Sequence, residues 1–433
     1  MLFRRLYVYA FYFVVFLMPA SPLTRAQRLT PLSLPPEWRR LQAYDGSLTA
    51  TQFRRWLDDV YAPDHAGQAW IRLQADGVVI RADATHNVTL TLAGTGQTPK
   101  PVPRYWKPLP HPATDPEHPL TGVTVAIDPG HLGGDFARME ERWFQFEGAA
   151  PIREGDLTLR VAQVLAPQLE RLGAHVALVR SSPEPLTQLR PGNLQSNAEE
   201  LLRGENNPSS IPPTYQGPAD PLKEHSIEWQ AERLFYRVAE IHERARRVNE
   251  VIRPDLVICV HFNAEPWGDP AHPTLVDADH LHLLVNGAYS TSELAYDDVR
   301  FDMLLKLLGQ THPEELALAE SVAHALAQAT GLPPYRYHSP NAIPLGSSGY
   351  VWARNLLANR LYECPVIYTE CYVMNSRSFF ERFQAGEYEG WRWFDNAWHQ
   401  DIYQEYAGGI AEGLRRYCTE GMPQMPQAEK CHK

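Results

Sequence analysis

Apolar positions follow one spacing near the start of the chain and another beyond its first quarter, and the change marks how it is organised. Phe53, Trp56, Leu57 and Val60 fall at i, i+3, i+4 and i+7, one face of a short helix. Thr49, three residues before Gln52, predicts a capping box at its start. Trp70 to Leu73 and Val78 to Arg81 read as strands joined at Asp76-Gly77, a hairpin signal, and Val88, Leu90 and Leu92 alternate as a third. Residues 38–93 therefore read as a small α+β unit. Eight prolines within residues 94–120 predict a stiff linker and a domain boundary.

From residue 121 strands alternate with helices. Val123 to Ile127 is a short apolar strand running into Asp128-Pro129-Gly130-His131. Leu157, Val161, Val164, Leu165, Leu169 and Leu172 form a helical stripe that stops at Gly173, and Val176 to Val179 is the next strand. Residues 181–226 hold eight more prolines without a sustained period and read as an insertion. Ile227, Ala231, Leu234, Val238, Ile241, Ala245, Val248 and Ile252 step by fours and threes, a helix that ends at Arg253 because Pro254 follows. Leu256 to Val260 runs into His261, Leu281 to Val285 is another strand, a helix spans about 313–330, and Val366 to Thr369 runs into Glu370. The pattern predicts an α/β fold: a twisted, mostly parallel sheet flanked by helices. In such sheets ligands bind beyond the carboxyl ends of the strands.

Composition adds three points. Arg4 and Arg5 precede the apolar run Leu6 to Met18 and the small-residue stretch Pro19-Ala20-Ser21, so residues 1–26 read as a secretory signal peptide; the run is shorter than the about 20 residues of a membrane span. The protein is expected to be exported, to the periplasm or cell envelope. Forty Lys+Arg against fifty-one Asp+Glu leave a net charge of −11, which argues against a nucleic-acid partner. None of the five cysteines (259, 364, 371, 418 and 431) shows the CxxC spacing of a structural zinc site; Cys418 and Cys431 flank a polar tail and are placed to close a short loop.

Three residues stand where a site belongs: His131 just past the first strand, His261 and Glu370 closing two others. Imidazole and carboxylate are zinc ligands, and a catalytic zinc keeps three protein ligands and one open position. Glu154, at the start of the helix after His131, is available as the third and gains from the helix dipole. Glu140, Glu141 and Glu147 compete with it, but only Glu154 is followed by the Leu-x-Leu pattern of that helix.

The stretches Val125-Ala-Ile-Asp-Pro-Gly-His131, Glu154-Gly-Asp-Leu-Thr-Leu, Arg244-Ala-Arg-Arg-Val-Asn249, Asp255-Leu-Val-Ile-Cys-Val-His-Phe-Asn-Ala264 and Val366-Ile-Tyr-Thr-Glu370 resemble, in order, the zinc-dependent N-acetylmuramoyl-L-alanine amidases of bacterial cell walls. The resemblance covers about residues 121–417, with 418–433 as a tail. It implies that His131, Glu154 and His261 hold Zn2+, that Glu370 is catalytic, and that the substrate is peptidoglycan, cut between N-acetylmuramic acid and L-alanine. Leu132 intervenes before Gly133-Gly134, the gap from His131 to Glu154 is long, and 181–226 and 286–312 are insertions. The 38–93 unit or the 181–226 insertion would serve a regulatory protein partner. Other readings of the same residues are an exported zinc peptidase or amidase on a non-wall substrate and an inactive wall-binding homologue. Beside the core set, Asp128 is expected to orient His131 and not to bind the metal itself, and Asn263 to orient substrate or cap a turn. His280 and His282, on one side of a strand, contact the cleft or, more in keeping with the pattern, belong to a covered or solvated sheet face. Trp143, Trp229, Trp267 and Trp352 line a glycan groove or, for most of them, pack in the core.

Overall fold

The computed structural model describes residues 28–420 apart from 84, 207–209 and 271. The segment 1–26 and Cys431, hence the proposed loop to Cys418, lie outside these; Cys418 itself is a buried thiol. Among the described residues no helix is long and apolar enough to cross a membrane.

The capping box forms: Thr49 accepts from the Gln52 N–H, the Gln52 side chain accepts from the Thr49 N–H, and helix Ala50–Trp56 follows. Strands β1 (Ile71–Leu73), β2 (Gly77–Arg81) and β3 (Asn87–Thr91) make an antiparallel sheet in that order. The inner side of this unit, including Phe53, Leu57, Val78, Ile80 and Leu90, shares one apolar core with Tyr289, Val299, Met303, Leu304 and Leu307. Most of these partners lie on helix Asp297–Gly309, inside the stretch 286–312. The far side of that helix is tied down by Lys306, buried against Glu315 Oε1 at 2.7 Å and the Tyr362 and Cys364 carbonyls. Because the helix is covered on both sides, its charged residues Asp297, Asp298, Arg300 and Lys306 are buried as well, and no single apolar stripe stands out. The proline-rich run lies along the larger unit over part of its length: Trp106 and Leu109 are buried, and the Leu109 and Ala113 N–H groups donate to Glu314 Oε1 and to the Cys418 carbonyl.

The large sheet contains β4 (Thr124–Pro129), β5 (His175–Leu178), β6 (Leu256–Asn263), β7 (Leu281–Val285), β8 (Ile343–Leu345), β9 (Val351–Ala353) and β10 (Val366–Val373), in the order β8-β9-β7-β10-β6-β4-β5. β5, β4, β6 and β10 run parallel; β7 joins β10 antiparallel and carries β9 parallel to itself. The amino end of β7 therefore shares an edge with the carboxyl ends of β4, β6 and β10, and Glu370 registers with His261 on one side and His282 on the other. Helices Glu154–Arg171, His312–Thr330 and Ile402–Glu420 cover one face, packing on Val125, Ile127, Ile258, Val260 and Ile367. On the other face Ala245 and Val248 pack on Val257, Cys259 and Tyr368; they belong to one continuous helical run, Ile227 to Ile252, partly π-wound and closed by Arg253 in a left-handed conformation. The 181–226 stretch contains helix Gln195–Asn206, whose buried residues Ala198 and Leu202, with Leu194 just before it, make a narrow stripe centred on alanine.

Candidate metal centre

Past the end of β4 the chain turns through Gly130 to His131, which adopts a left-handed conformation with φ of 55°. A Cβ at Gly130 would stand 2.2 Å from the His261 imidazole, so only glycine lets the two histidine-bearing segments come this close. Helix Glu154–Arg171 begins against the same turn, where a Cβ at Gly155 would meet the Leu132 carbonyl oxygen at 2.1 Å.

These approaches gather His131, Glu154 and His261, whose ligand atoms all lie within 4.8 Å of one another. His131 Nε2 is 3.4 Å from Glu154 Oε2, and His261 Nδ1 is 3.3 Å from Glu154 Oε1. Ligands about 2.0–2.1 Å from a tetrahedral ion stand about 3.4 Å apart; the spacing suits a small divalent cation. Glu154 is further fixed by the Phe262 N–H, which donates to Oε1 at 3.1 Å, and by Arg142 Nε, 3.5 Å from Oε2.

None of the three competing carboxylates joins the cluster. Glu140 stands behind it: its Oε2 is 2.7 Å from His131 Nδ1 and accepts from the Leu132 N–H at 3.3 Å. A carboxylate on Nδ1 fixes the ring and leaves the Nε2 lone pair facing Glu154 and His261. Glu141 is exposed and paired with Lys223 of the 181–226 insertion, and Glu147 is exposed. The expectation for Asp128 is corrected. Its two oxygens accept from Arg244 Nη1 at 3.0 Å and Tyr362 Oη at 2.5 Å, and Arg244 makes the connection to His131, donating to the Pro129 and His131 carbonyls at 2.8 and 3.1 Å. Arg244 is fully buried with Glu240 on its other side at 2.8 Å. Arg180, also buried, donates to the Gly155 carbonyl at 3.0 Å. Two arginines thus brace the backbone of the turn, and neither Arg180 nor Glu140 was marked by any motif.

Burial pushes the His131 pKa well below its usual value, with Arg142 and His261 adding to the effect; the ring is a neutral donor. Burial also opposes ionisation of Glu154, but His131, His261 and Arg142 outweigh it and hold the carboxyl at about 2. Glu370 is raised by burial and by Glu154, against the pull of His261, to about 7, the range suited to taking and returning a proton near neutrality.

Around Glu370, Asn263 Nδ2 donates to the Glu370 carbonyl at 3.2 Å, so Asn263 ties β6 to β10. The Tyr368 ring stacks on His261 with centroids 5.1 Å apart, and Tyr406 Oη lies 2.8 Å from the His261 carbonyl. His280 and His282 are buried, packed on Tyr335 and Tyr337; theirs is a covered sheet face. Trp267 packs on Phe144 and Trp352 on Tyr337, while Trp143 and Trp229 lie under Arg138 and Arg233.

No family model matches the chain, and no curated protein matches it. Among solved structures it is similar to the N-acetylmuramyl-L-alanine amidase of Mycobacterium smegmatis, with 16% identity, 69% of this chain and 97% of that one covered, and a TM-score of 0.37. It is also similar to the amidase AmiC2 of Nostoc punctiforme (16%, 69% and 98% covered, TM-score 0.35) and to the CwlD amidase of Clostridioides difficile, solved in complex with the GerS lipoprotein (13%, 68% and 98% covered, TM-score 0.35). Likeness at this level assigns nothing by itself.

Proposed function

We propose that the protein is an exported zinc amidase that hydrolyses the amide between the lactyl group of N-acetylmuramic acid and the L-alanine of the peptide stem. The observation that carries the reading is the convergence of His131 Nε2, His261 Nδ1 and both Glu154 oxygens, backed by Glu140 and registered with Glu370 on the next strand.

The residues fit zinc by their chemistry. Two imidazoles and one carboxylate form a three-ligand set of the kind that catalytic zinc sites use, and the carboxylate behind His131 is the usual outer partner. Bound there, zinc would supply Lewis acidity at an open coordination position. The chain's own residues do the rest. Glu370 takes a proton from the water that attacks the lactyl carbonyl carbon, and delivers it to the alanine nitrogen as the C–N bond breaks. The products are a free lactyl carboxyl and a stem with a free amino terminus. Asn263 holds the backbone of Glu370 at the level of His261, and Arg244 and Arg180 keep the His131 turn from relaxing.

A regulator would act most directly through the 181–226 insertion. Its Lys223 pairs with Glu141, and its Leu194 and Ala198 pack on Leu132, the residue after His131. The 38–93 unit has its apolar side taken up by helix Asp297–Gly309 and its neighbours. The test is digestion of purified sacculi by the zinc-loaded protein beside a panel of free peptides. Release of stems with new L-alanine amino termini and intact glycan is the expected result. Cleavage of free peptides with sacculi untouched overturns the substrate, and no turnover on either overturns the activity.

A further inference from the structure

Eleven tryptophans occur in the chain, and eight are buried or half-buried. The other three, Trp391, Trp393 and Trp398, are 59%, 56% and 61% exposed; Trp393 and Trp398 lie on a hairpin formed by β11 (Arg392–Phe394) and β12 (Ala397–His399), and Trp391 immediately precedes it. The hairpin turns at Asp395-Asn396, both with positive φ, the two-residue turn whose twist suits paired strands. Trp393 is the cross-strand partner of Trp398, with ring centroids 5.5 Å apart and planes at 74°. Trp391 stands two residues before Trp393, at the entrance to the same strand.

The opposite side is an anchor. Phe394 packs on Tyr388, and the Arg392 guanidinium lies 4.2 Å above the Tyr388 ring. Tyr388 Oη donates toward the His399 and Gln400 carbonyls, and His399 Nδ1 is 3.0 Å from Glu405 of the final helix. Glu387, just before the hairpin, holds Arg160 through both carboxylate oxygens. Arg160 is six residues along the helix that Glu154 begins, about 9 Å at 1.5 Å per residue. The hairpin is thus fixed to the body of the protein on the helix that carries one of the candidate ligands.

We propose that this outer face is a glycan-binding platform, on which Trp391, Trp393 and Trp398 stack the C–H faces of β-linked N-acetylated sugars. The choice of polymer rests on the function proposed above. Exposed aromatic clusters on rigid elements mark binding surfaces, and a tryptophan face offers broad apolar area with an N–H at its edge, which matches a pyranose with an apolar face and a polar rim. Charge selects the occupant. Along residues 387–401 four acidic residues, Glu387, Glu389, Asp395 and Asp401, stand against Arg392, with Glu387 paired to Arg160 and Asp401 buried. The outer face therefore offers no basic cluster for an anionic lipid surface and leaves a neutral sugar chain unopposed. A platform on the ligand-bearing helix would hold a strand of the wall while the stem reaches Glu370.

The experiment compares the full mature chain with Trp393→Ala/Trp398→Ala and Trp393→Phe/Trp398→Phe. The probes are chitotetraose, which lacks the lactyl amide, purified sacculi, and vesicles of mixed zwitterionic and anionic lipid. Chitotetraose should shift the tryptophan fluorescence of the native chain. The double alanine variant should bind it at least about tenfold more weakly, the loss of one good aromatic contact being of this order, and the double phenylalanine variant should recover part of the loss. KM on sacculi should rise with kcat, zinc content and cleavage of a small soluble muramoyl peptide unchanged. Unchanged glycan binding in the alanine variant, or tryptophan-dependent binding to vesicles without binding to chitotetraose, overturns the platform. Tryptophan-dependent glycan binding by a chain that cuts no sacculi overturns the activity and leaves the platform standing; normal cleavage with no effect of the tryptophans does the reverse.

Discussion

His131 and His261 stand at one edge of the large sheet, and His280 and His282 stand at the same edge two strands away. Both pairs are close, with ring centroids 5.1 and 6.5 Å apart. The first pair has a buried carboxylate between its rings and another behind it. The second has Tyr335 and Tyr337: His282 Nε2 meets Tyr337 Oη at 2.9 Å, and the carboxylate beside His280, Glu265, is 3.5 Å from Nε2. Burial pushes the pKa of His280 and of His282 down, as it does for His131. The imidazole alone does not make a metal ligand. What separates the pairs is the carboxylate that collects the lone pairs and the one that fixes the tautomer.

The largest effect should come from removing a ring of the first pair. His131→Ala or His261→Ala should abolish zinc binding in the purified protein, because a site arranged for three ligands does not hold the ion with two. His280→Ala and His282→Ala should keep it. Metal analysis finding full zinc in His131→Ala, or loss of zinc in His282→Ala, would break the comparison.

Next is Glu370→Gln. Its carboxyl registers with His261 but stands outside the gathered ligands, so the change should lower turnover about 10²–10⁴-fold with zinc retained. Loss of zinc would make Glu370 a ligand; a lowered Tm with near-normal turnover would make it structural.

Glu140→Gln comes third and sharpens the contrast from the other side. Burial raises the Glu140 carboxyl to about 7; with this acceptor behind His131 Nδ1 replaced by an amide, zinc affinity should fall about 10–100-fold, which a competition titration against a chelator reads. An unchanged affinity would mean that the three ligands alone set the site.

How much of this was legible in the sequence follows the same division. His131, His261 and Glu370 could be found because each follows a run of apolar strand residues that gives way to a polar one, although β6 and β10 continue past His261 and Glu370 to Asn263 and Val373. Glu154 could be found because a helical stripe follows it. Glu140 could not: it lies in the irregular stretch between His131 and that helix, where no period distinguishes it from Glu141 or Glu147. Arg180 looked like any charge after a strand, and its burial depends on a backbone turn assembled from three separate segments. In the fold, β1 to β7, β10 and the Ile227 to Ile252 run were visible by period, whereas β8 and β9, three residues each, are too short to show one, and the final helix Ile402–Glu420 was not predicted. Helix Asp297–Gly309 was hidden because both its sides are covered, and the tryptophan hairpin because its outer face is apolar and exposed, which inverts the rule that period-reading uses.

The smallest effect concerns His282. Burial, with His280 and Arg354 adding to it, holds its pKa well below the usual 6.5, while an unfolded chain would titrate near that value. Below about 6.5 the unfolded state therefore binds a proton that the folded state does not, and stability is lost as pH falls. Each such histidine removes up to about 1.4 kcal/mol per pH unit. His131 and His312 carry the same sign, so the total slope does not isolate His282; the difference from His282→Gln does. Glutamine can keep the bond to Tyr337 Oη and has no charge to gain. The groups facing the ring are His280, Asn263, Tyr335, Tyr337 and Arg354, with Glu370 opposite on β10 and Glu265 beyond His280; burial, His280 and Arg354 outweigh these carboxylates. Chemical denaturation of both proteins at pH 5.5 and 7.5 should show the variant losing about 1 kcal/mol less on acidification. Equal losses would mean that His282 finds a counter-charge in the folded state, and the second pair would then resemble the first more closely than its geometry implies.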